Sequence, residues 1–505
     1  MGVEVSTVVE ADRPESQAVS RNRPQRANGG RRVRAARGSP EARVGTRPSE
    51  TADKVTERGA AQFTDFDATP VIATPKLAAQ VAGLGYHYYA GFSPDFVGDV
   101  LKHLGATKSD IVIDPWNGSG TTTLVCAKQG IPSTGFDLSP AMVVVSKGRL
   151  YSASVEQVAH KVHNLVTATP PQRRPNTGEP LCAWFEPASA ARLRWFIERL
   201  TGQTGKVDPD KMSPEICFLT TALFLTVRSF MGAAMTSNPT WIRRQLSDKN
   251  RARATWTEFV KRFKQAASDI ERPLTPIKAW PDLHVADTSM TLNDPVAIDV
   301  NLAVGGSLDR SAPGAGGETD SKSPVQPTVL ITSPPYCTRI DYVASTRPEL
   351  ATLGWVSADQ EVLRRRMLGT TTVAEKLERA EGFGVEAEQL LEKVTNHGSR
   401  ASATYYRKWL GQYLDAYQRS IQVLAATLAP GGRAALVVQD SFYKDIHIDL
   451  ARITHEMCEA AGWRHESTIA FFVPRTMASI NPRSRPYRER ATVTESLLLF
   501  RAPET

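Results

Sequence analysis

Short apolar segments separated by longer amphipathic ones make up most of the chain after residue 110. Seven segments have the length and composition of buried strands: 111–113, 133–137, 282–286, 328–332, 434–438, 465–472 and 495–501. Apolar residues recur at helical spacing between several of them, most clearly from Thr404 to Leu428, where Pro430-Gly431-Gly432 ends the pattern. Strands that alternate with helices predict an α/β fold with a mostly parallel sheet.

The stretch from residue 151 to 280 has a different pattern and is mostly helical. Trp184 to Leu200 and Glu215 to Phe230 are amphipathic or apolar runs, and Trp256 to Ile270 has the composition of a basic helix. These helices lie between the second and third predicted strands. The stretch is therefore predicted to be a helical insertion into the sheet domain.

Length and composition limit the class of protein. The 505 residues are 41% hydrophobic, which favours one large domain with an elaboration over three independent units. No apolar run reaches the roughly 18 residues of a membrane span, and the amino terminus lacks a hydrophobic signal region, so we expect a cytoplasmic protein without a membrane partner. Five widely spaced cysteines and nine histidines show no disulfide or metal-ligand pattern, which predicts a reducing compartment and no metal site.

Positive charge is concentrated in three places. Between Arg21 and Arg47 nine arginines accompany one glutamate, together with proline, glycine and serine, so we expect residues 1–60 to form a disordered basic tail. Such a tail would add non-specific phosphate affinity or be only a solvated extension. Two further clusters, Ser237 to Arg244 and Arg364 to Arg366, are equally typical of nucleic-acid contacts and of solvated faces.

A glycine-rich turn follows the first predicted strand. Asp114-Pro115-Trp116-Asn117-Gly118-Ser119-Gly120-Thr121-Thr122 leads from that strand into a helical stretch. Glycines in a strand–turn–helix unit let the backbone approach a nucleotide-like ligand closely. Asp137 ends the next strand, 19 positions after Gly118, near the roughly 20 typical of an acid that binds a ribose. No Gly-Lys-Ser/Thr follows and a third glycine is absent, which favours a ligand without a pyrophosphate.

A second motif, Ser333-Pro334-Pro335-Tyr336, follows the fourth predicted strand. Two prolines cannot extend a strand, so the backbone turns there and exposes carbonyl groups and an aromatic ring. This suits a planar ring with an exocyclic amine, which would stack on Tyr336 and donate to the Ser333 hydroxyl and a proline carbonyl. Each motif alone is common as an ordinary turn, but both behind β-branched strands are hard to obtain by chance. Since parallel strands end at one edge, we expect the two motifs to share a crevice.

These residues resemble the S-adenosylmethionine-dependent methyltransferases that modify exocyclic amines of DNA bases, the cytosine-N4 and adenine-N6 family. The family's cofactor motif usually reads Asp-Pro-Phe-x-Gly-Ser-Gly-Thr-Thr, from which Trp116 departs. Its catalytic motif reads Asp/Asn/Ser-Pro-Pro-Tyr/Phe/Trp, and serine is commoner in cytosine enzymes. The resemblance covers residues 86–150 and, roughly, 280–501. It implies a doubly wound seven-stranded sheet whose last strand is inserted antiparallel, with S-adenosylmethionine as the methyl donor.

The resemblance also implies roles for individual residues. Tyr86 to Pro94 is similar to the segment that contacts the methionine portion of the cofactor, with a core aromatic cluster as the alternative. Asp287 falls where the family places an acid near the adenine, with a solvated strand end as the alternative. The implied catalytic residues are Ser333, Pro334, Pro335 and Tyr336, and the implied cofactor-binding residues are Phe92, Asp114, Pro115, Asn117, Gly118, Gly120, Thr121, Asp137 and Asp287. Methyl transfer from a sulfonium needs no metal.

Beyond the tail, the chain is expected to have three parts. They are an aromatic segment with the cofactor-binding half at 61–150, a helical insertion suited to target recognition at 151–280, and the catalytic half at 281–505 with a flexible loop at 303–327. We expect methyl transfer to cytosine N4 in DNA, with adenine N6 second, in a restriction-modification or defence setting with partner proteins. The alternatives are an RNA base methyltransferase, a protein-glutamine methyltransferase, which usually has asparagine in place of Ser333, and an inactive nucleic-acid-binding protein.

Overall fold

The computed structural model describes residues 72–75, 86, 91, 93–236, 242–270, 272–273, 277–285, 326–374, 382–473 and 493–504. All of them belong to the unit formed by residues 65–505. The tail predicted at 1–60, most of the loop predicted at 303–327, Phe92 and Asp287 lie outside the described residues.

Seven of the strands in these ranges form one sheet. The strands are β1 Val112–Asp114, β2 Ser133–Asp137, β3 Asp282–Val285, β4 Val329–Thr332, β5 Arg433–Gln439, β6 Ser441–Tyr443, β7 Ile446–Ile448, β8 Arg464–Val473 and β9 Val493–Arg501. The sheet order is β3-β2-β1-β4-β5-β9-β8, and β6 and β7 form a separate antiparallel pair. The five strands from β3 to β5 are parallel, whereas β9 is antiparallel to both of its neighbours. The predicted doubly wound α/β fold is therefore confirmed, including the inserted antiparallel last strand.

Helices pack on both faces of the sheet because successive strand residues point to opposite sides. Leu330 and Leu436 face one hydrophobic cluster, whereas Val329 and Val437 face another. The helices are α1 Pro94–His103, α2 Thr121–Gln129, α3 Pro140–Gly148, α4 Val155–Val166, α5 Pro187–Thr201, α6 Pro214–Phe230, α7 Trp256–Asp269, α8 Tyr342–Ser345, α9 Arg347–Thr352, α10 Ser357–Arg366, α11 Val385–Asn396, α12 Arg407–Thr427 and α13 Leu450–Ala460.

The predicted insertion shares its core with the helices that follow the second motif. Leu350 and Leu353, at the end of α9, are fully buried in the same cluster as the apolar faces of α5, α6 and α7. Arg194 of α5 reinforces this contact, because its buried guanidinium donates to the carbonyl oxygens of Ala351 at 2.8 Å and Thr352 at 2.9 Å. Those carbonyls lie at the end of α9, where a helix leaves acceptors without intrahelical donors.

Two predicted helix boundaries were wrong, each for a local reason. The helix predicted from Trp184 begins at Pro187, since Trp184 ends a 3-10 turn. Proline is favoured in the first turn of a helix, where its missing N–H costs no hydrogen bond. The helix predicted from Thr404 begins as an α-helix only at Arg407, after a π-helical turn over Ser402–Tyr406.

Three further observations concern side-chain chemistry and hydropathy in the described part of the chain. None of its helices is long and apolar enough to cross a membrane. All five cysteines are free thiols. No three His, Cys, Asp or Glu side chains within the described ranges come together as a metal-binding group.

Candidate active site

The two sequence motifs lie side by side at the carboxyl ends of β1 and β4. These strands are parallel neighbours, with Val112 opposite Val329 and Ile113 opposite Leu330. The strand order reverses between them, because β2 and β3 lie beyond β1 whereas β5 lies beyond β4. In open α/β sheets, the crevice at such a reversal is where ligands bind. The expected juxtaposition of the two motifs is therefore present.

A hydrogen bond joins the motif strands directly. The Thr332 hydroxyl donates to Asp114 Oδ1 at 2.7 Å, and the backbone N–H of Trp116 donates to the same oxygen at 3.2 Å. Burial raises the pKa of Asp114 to about 6, against the lowering effect of these donors and of the Thr122 hydroxyl. Asp114 thus fixes the start of the glycine turn, including Pro115, relative to the strand that carries the second motif.

The glycine turn encloses the carboxylate of Asp137. Gly118 N–H donates to Asp137 Oδ2 at 2.9 Å, and Ser139 N–H donates to Oδ1 at 2.7 Å. Burial raises the pKa of Asp137 to about 6; the two N–H donors oppose this, and the charge of Asp114 adds to it. Each carboxylate oxygen keeps a lone pair for a further donor.

Asn117 and Thr121 help to shape the turn. Asn117 N–H donates to the carbonyl of Phe136 at 2.8 Å, and its side-chain oxygen accepts from the Thr123 hydroxyl at 3.1 Å. Thr121 Oγ1 accepts from the buried Arg149 guanidinium at 3.2 Å, which also donates to the carbonyl of Ser119 at 2.7 Å. Arg149 follows α3 and carried no sequence signal, since a single arginine at a helix end is usually a solvated side chain.

Gly120 is required by both its backbone conformation and its surroundings. Its φ is +80°, and a Cβ there would lie 2.5 Å from Ser146 Cβ. Exposed Gly178 has a nearly equal φ of +79° with nothing within 4 Å of its would-be Cβ, so it serves as a matched control.

We predict that Gly120→Ala lowers the free energy of unfolding more than Gly178→Ala does. Left-handed strain costs each variant about 1–2 kcal/mol, and overpacking against Ser146 adds about 1–3 kcal/mol at Gly120 alone. Urea unfolding of the two variants and the wild type measures the difference. Equal losses would contradict the close packing of the turn on α3.

The Ser-Pro-Pro-Tyr loop is held by three partners from distant parts of the chain. Ser333 Oγ lies 3.0 Å from the carbonyl oxygen of Val437 and 3.3 Å from Tyr336 Oη. Tyr336 Oη donates to Glu495 Oε1 at 2.8 Å, and Tyr413 Oη donates to the carbonyl of Pro335 at 2.9 Å. Pro334, which lies between Ser333 and Pro335 in the chain, is itself buried.

Glu495 is another residue of this site that sequence reasoning missed. It is buried on β9, opposite Gln439 of β5. Burial, and then the charge of Glu495, raises the pKa of Tyr336 well above its ordinary value of 10.0. The phenol therefore stays protonated at neutral pH and keeps donating to Glu495, which fixes the orientation of the ring.

Tyr86 is the aromatic residue of the segment from Tyr86 to Pro94 that lies within the described residues. Its side chain is buried beside Arg228 of α6, whose guanidinium carbon lies 5.9 Å from the ring centroid. Arg228 is ion-paired with the fully buried Glu349 of α9. Tyr86 thus contacts the helices that follow the second motif, as well as the insertion.

Comparison with known proteins finds two local similarities. The chain is 34% identical over 87 residues to the Type II methyltransferase M.MjaII of Methanocaldococcus jannaschii. The aligned residues make up 17% of this chain and 16% of that protein. It is 42% identical over 53 residues to the Type II methyltransferase M.BsoBI of Geobacillus stearothermophilus, 10% of either protein. Each aligned stretch is much shorter than the segment of chain between Gly118 and Ser333, so it covers only one part of the fold. The resemblance to methyltransferases is confirmed at that local level.

Neither the protein-family models nor the solved structures contain a match that identifies the family of this chain. No protein-family model matches the chain. The rRNA methyltransferase aviRa from Streptomyces viridochromogenes aligns with 85% of this chain and 92% of its own, at 10% identity and a TM-score of 0.27. A TM-score this low supports no conclusion about fold or substrate.

Proposed function

We propose that this protein transfers a methyl group from S-adenosylmethionine to the exocyclic amine of a DNA base, with cytosine N4 as the favoured acceptor. The observation that carries the proposal is the adjacency of the two motifs at the strand-order reversal, tied by the Thr332–Asp114 hydrogen bond. The turn that would bind the methyl donor and the loop that would bind the amine are thereby adjacent at one crevice. The local matches to two Type II methyltransferases agree with this chemistry.

The cofactor half of the site has donors and acceptors that suit a nucleoside. When bound, S-adenosylmethionine supplies an electrophilic methyl group on a sulfonium. The residues that would hold it are the turn at Asn117, Gly118 and Gly120 and the carboxylate of Asp137, which retains lone pairs for ribose hydroxyls. Phe92, Asp114, Pro115, Thr121 and Asp287 remain further candidates for this half of the site.

The acceptor half is built to receive an amine rather than to donate to one. Ser333 directs its proton to the Val437 carbonyl or to Tyr336 Oη, so its remaining lone pairs can accept from the substrate. An amine conjugated into a ring is a poor nucleophile, and acceptors that draw its hydrogens out of the ring plane favour the form that can attack. Positioning by Ser333 and Pro334 would supply most of the acceleration, with no strong general base in the proposal.

The target base would stack on Tyr336 after leaving its helix. Because Tyr336 is tied to Glu495 at 2.8 Å, its ring offers a fixed plane. Base–aromatic stacking contributes about 1–3 kcal/mol and does not depend strongly on which base is bound. The preference for cytosine thus rests on Ser333, which the resemblance associates with cytosine enzymes.

The test is a product assay with purified protein. Unmethylated duplex DNA and RNA of matching sequence are incubated with isotope-labelled S-adenosylmethionine, digested to nucleosides and analysed by mass spectrometry. We expect labelled N4-methylcytosine in DNA, in reduced amount with Tyr336→Ala. N6-methyladenine would overturn the choice of cytosine, label in RNA alone would overturn the choice of DNA, and label only on protein would overturn the nucleic-acid proposal.

A further inference from the structure

Arginines from two distant parts of the sequence meet on one side of the second motif. Arg244 follows the insertion helix α6, whereas Arg364 and Arg365 lie in the last turn of α10. All three lie around the carboxylate of Glu361: Arg364 Nη1 at 2.7 Å, Arg244 Nη2 at 3.4 Å and Arg365 Nε at 3.9 Å. The fold therefore brings Arg244, from one basic cluster of the sequence, next to Arg364 and Arg365 of another.

Arg347 belongs to the same cluster. It is the first residue of α9. Burial lowers the pKa of its guanidinium, and the charges of Arg244 and Arg364 add to this effect, whereas the charge of Asp341 opposes it. No hydrogen bond or ion pair involves its guanidinium within the described part of the chain, although the residue is partly buried. A partly desolvated cation of this kind gains from an anion supplied by a ligand.

The cluster is connected to the Ser-Pro-Pro-Tyr loop from two directions. Arg364 Nε donates to Asp341 Oδ2 at 2.7 Å, and Asp341 follows Tyr336 by only five residues. After α10 the chain passes Gly369, whose would-be Cβ lies 3.8 Å from the carbonyl oxygen of Tyr336. The arginines therefore lie next to the loop that carries the proposed base platform.

Arg339 extends the cluster on the loop itself. It is exposed, and its guanidinium carbon lies 5.1 Å and 5.5 Å from the ring centroids of Tyr405 and Tyr406. Its Nη2 donates to Tyr405 Oη, which in turn donates to the carbonyl of Thr371. Arg364 Nη2 also donates to Thr371, at its hydroxyl, so one short segment links the two arginines.

Positive charge exceeds negative charge across this group. We call Arg244, Arg339, Arg347, Arg364 and Arg365 the arginine surface. Among the described residues, the carboxylates in contact with it are Asp341 and Glu361, so within this part of the chain three positive charges are left to be balanced by solvent ions or a ligand. An excess of guanidinium groups beside an aromatic platform is suited to a phosphodiester backbone, because Arg binds phosphate oxygens through paired N–H donors.

We propose that the arginine surface binds the phosphate backbone of the DNA strand whose base is presented to Tyr336. This inference rests on the proposed function, since it identifies how the substrate of that site is held. Binding here would be independent of sequence and would set the position of the strand, whereas the base would be selected at the loop. The phosphate groups bound here are proposed to be those of DNA, and the experiment below also measures the binding of RNA.

The experiment compares Arg244→Gln/Arg365→Gln with a control at the other end of the sheet. Both replaced side chains are largely exposed and pair only loosely with Glu361, so their loss should not alter the thermal unfolding midpoint. The control is Arg464→Gln, an exposed arginine at the amino end of β8. Binding of fluorescein-labelled duplex DNA, and of RNA with the same sequence, is followed by anisotropy over a series of salt concentrations.

The double variant is expected to bind DNA roughly tenfold more weakly per lost contact at about 0.1 M salt. The fall of log affinity with log salt should also become less steep, by about two in the slope. Arg464→Gln should match the wild type. Equal slopes for the double variant and the control would overturn the inference, and so would a loss seen with RNA alone.

The outcome is separable from that of the proposed function. A wild type that methylates DNA while the double variant binds normally would contradict the arginine surface alone. A wild type that binds DNA through these arginines without methylating it would leave the surface supported and the proposed function contradicted.

Discussion

Replacing Tyr336 with alanine is expected to lower turnover on DNA by about 5- to 150-fold, the equivalent of the roughly 1–3 kcal/mol contributed by base stacking. The ring is the proposed platform for the target base, and the residues proposed to hold the cofactor follow other strands. Binding of S-adenosylmethionine, measured by calorimetry, should therefore be unchanged. Steady-state kcat with duplex DNA provides the comparison with the wild type.

Tyr336→Phe is the matched control for this prediction. It keeps the ring but removes the hydroxyl that donates to Glu495 at 2.8 Å, so both variants deprive the buried carboxylate of the same donor. We expect the phenylalanine variant to retain most of the turnover. If it loses as much as the alanine variant, the contact with Glu495 and not stacking is what the reaction needs; an alanine variant with wild-type turnover would refute both roles.

Loss of the Asp137 carboxylate is expected to weaken S-adenosylmethionine binding by about 1–3 kcal/mol, or about 5- to 150-fold in Kd. The carboxylate would accept from the ribose hydroxyls, and it also holds the N–H groups of Gly118 and Ser139. Calorimetry of Asp137→Ala gives the loss directly. Equal binding of NAD by the wild type, or no binding of S-adenosylmethionine, would contradict the assignment of this turn.

The pH dependence of binding tests the same carboxylate without removing it. Burial raises the pKa of Asp137 from 3.8 to about 6, so cofactor affinity should fall as the pH is lowered through 6 and the acceptor becomes protonated. The contribution of Asp137 to the free energy of unfolding should instead increase as the pH is lowered. Between these two pKa values the native state binds more protons than the unfolded state, and the contribution of Asp137 to stability decreases as the pH rises. Asp137→Asn should flatten the titration of affinity, and an unchanged titration would assign it to another group.

The sheet could be predicted because its signals are local. Each strand is a short apolar run that ends at glycine, proline or a polar residue, and the two motifs are brought together by a general rule for parallel strands. The predicted strand at 111–113 is displaced by one residue, since Asp114 pairs with Gly135 and Ile111 does not enter the ladder. Small displacements of this kind follow from hydrogen bonding between strands, which composition alone does not specify.

The partners that support the site could not be predicted. Glu495 contacts Tyr336 across 159 positions of sequence, and Tyr413 contacts Pro335 across 78. Both belong to patterns whose simplest explanation is ordinary structure, a strand residue and a helix core position. The β6–β7 hairpin was also missed, because Lys444 takes the positive φ of its turn, at 57°, where glycine or asparagine is usual.

The core shared by the insertion and residues 342–367 determines which parts of this protein can be exchanged. Leu350, Leu353 and Met367 are buried against helices α5 to α7, and Arg194 joins the end of α9 to the insertion. A chimera that replaced residues 151–270 alone would strip the apolar surface from the segment after Tyr336 and leave buried acceptors without their donor. Recognition elements grafted from a relative must therefore be moved as two sequence segments together, one from each side of the Ser-Pro-Pro-Tyr loop.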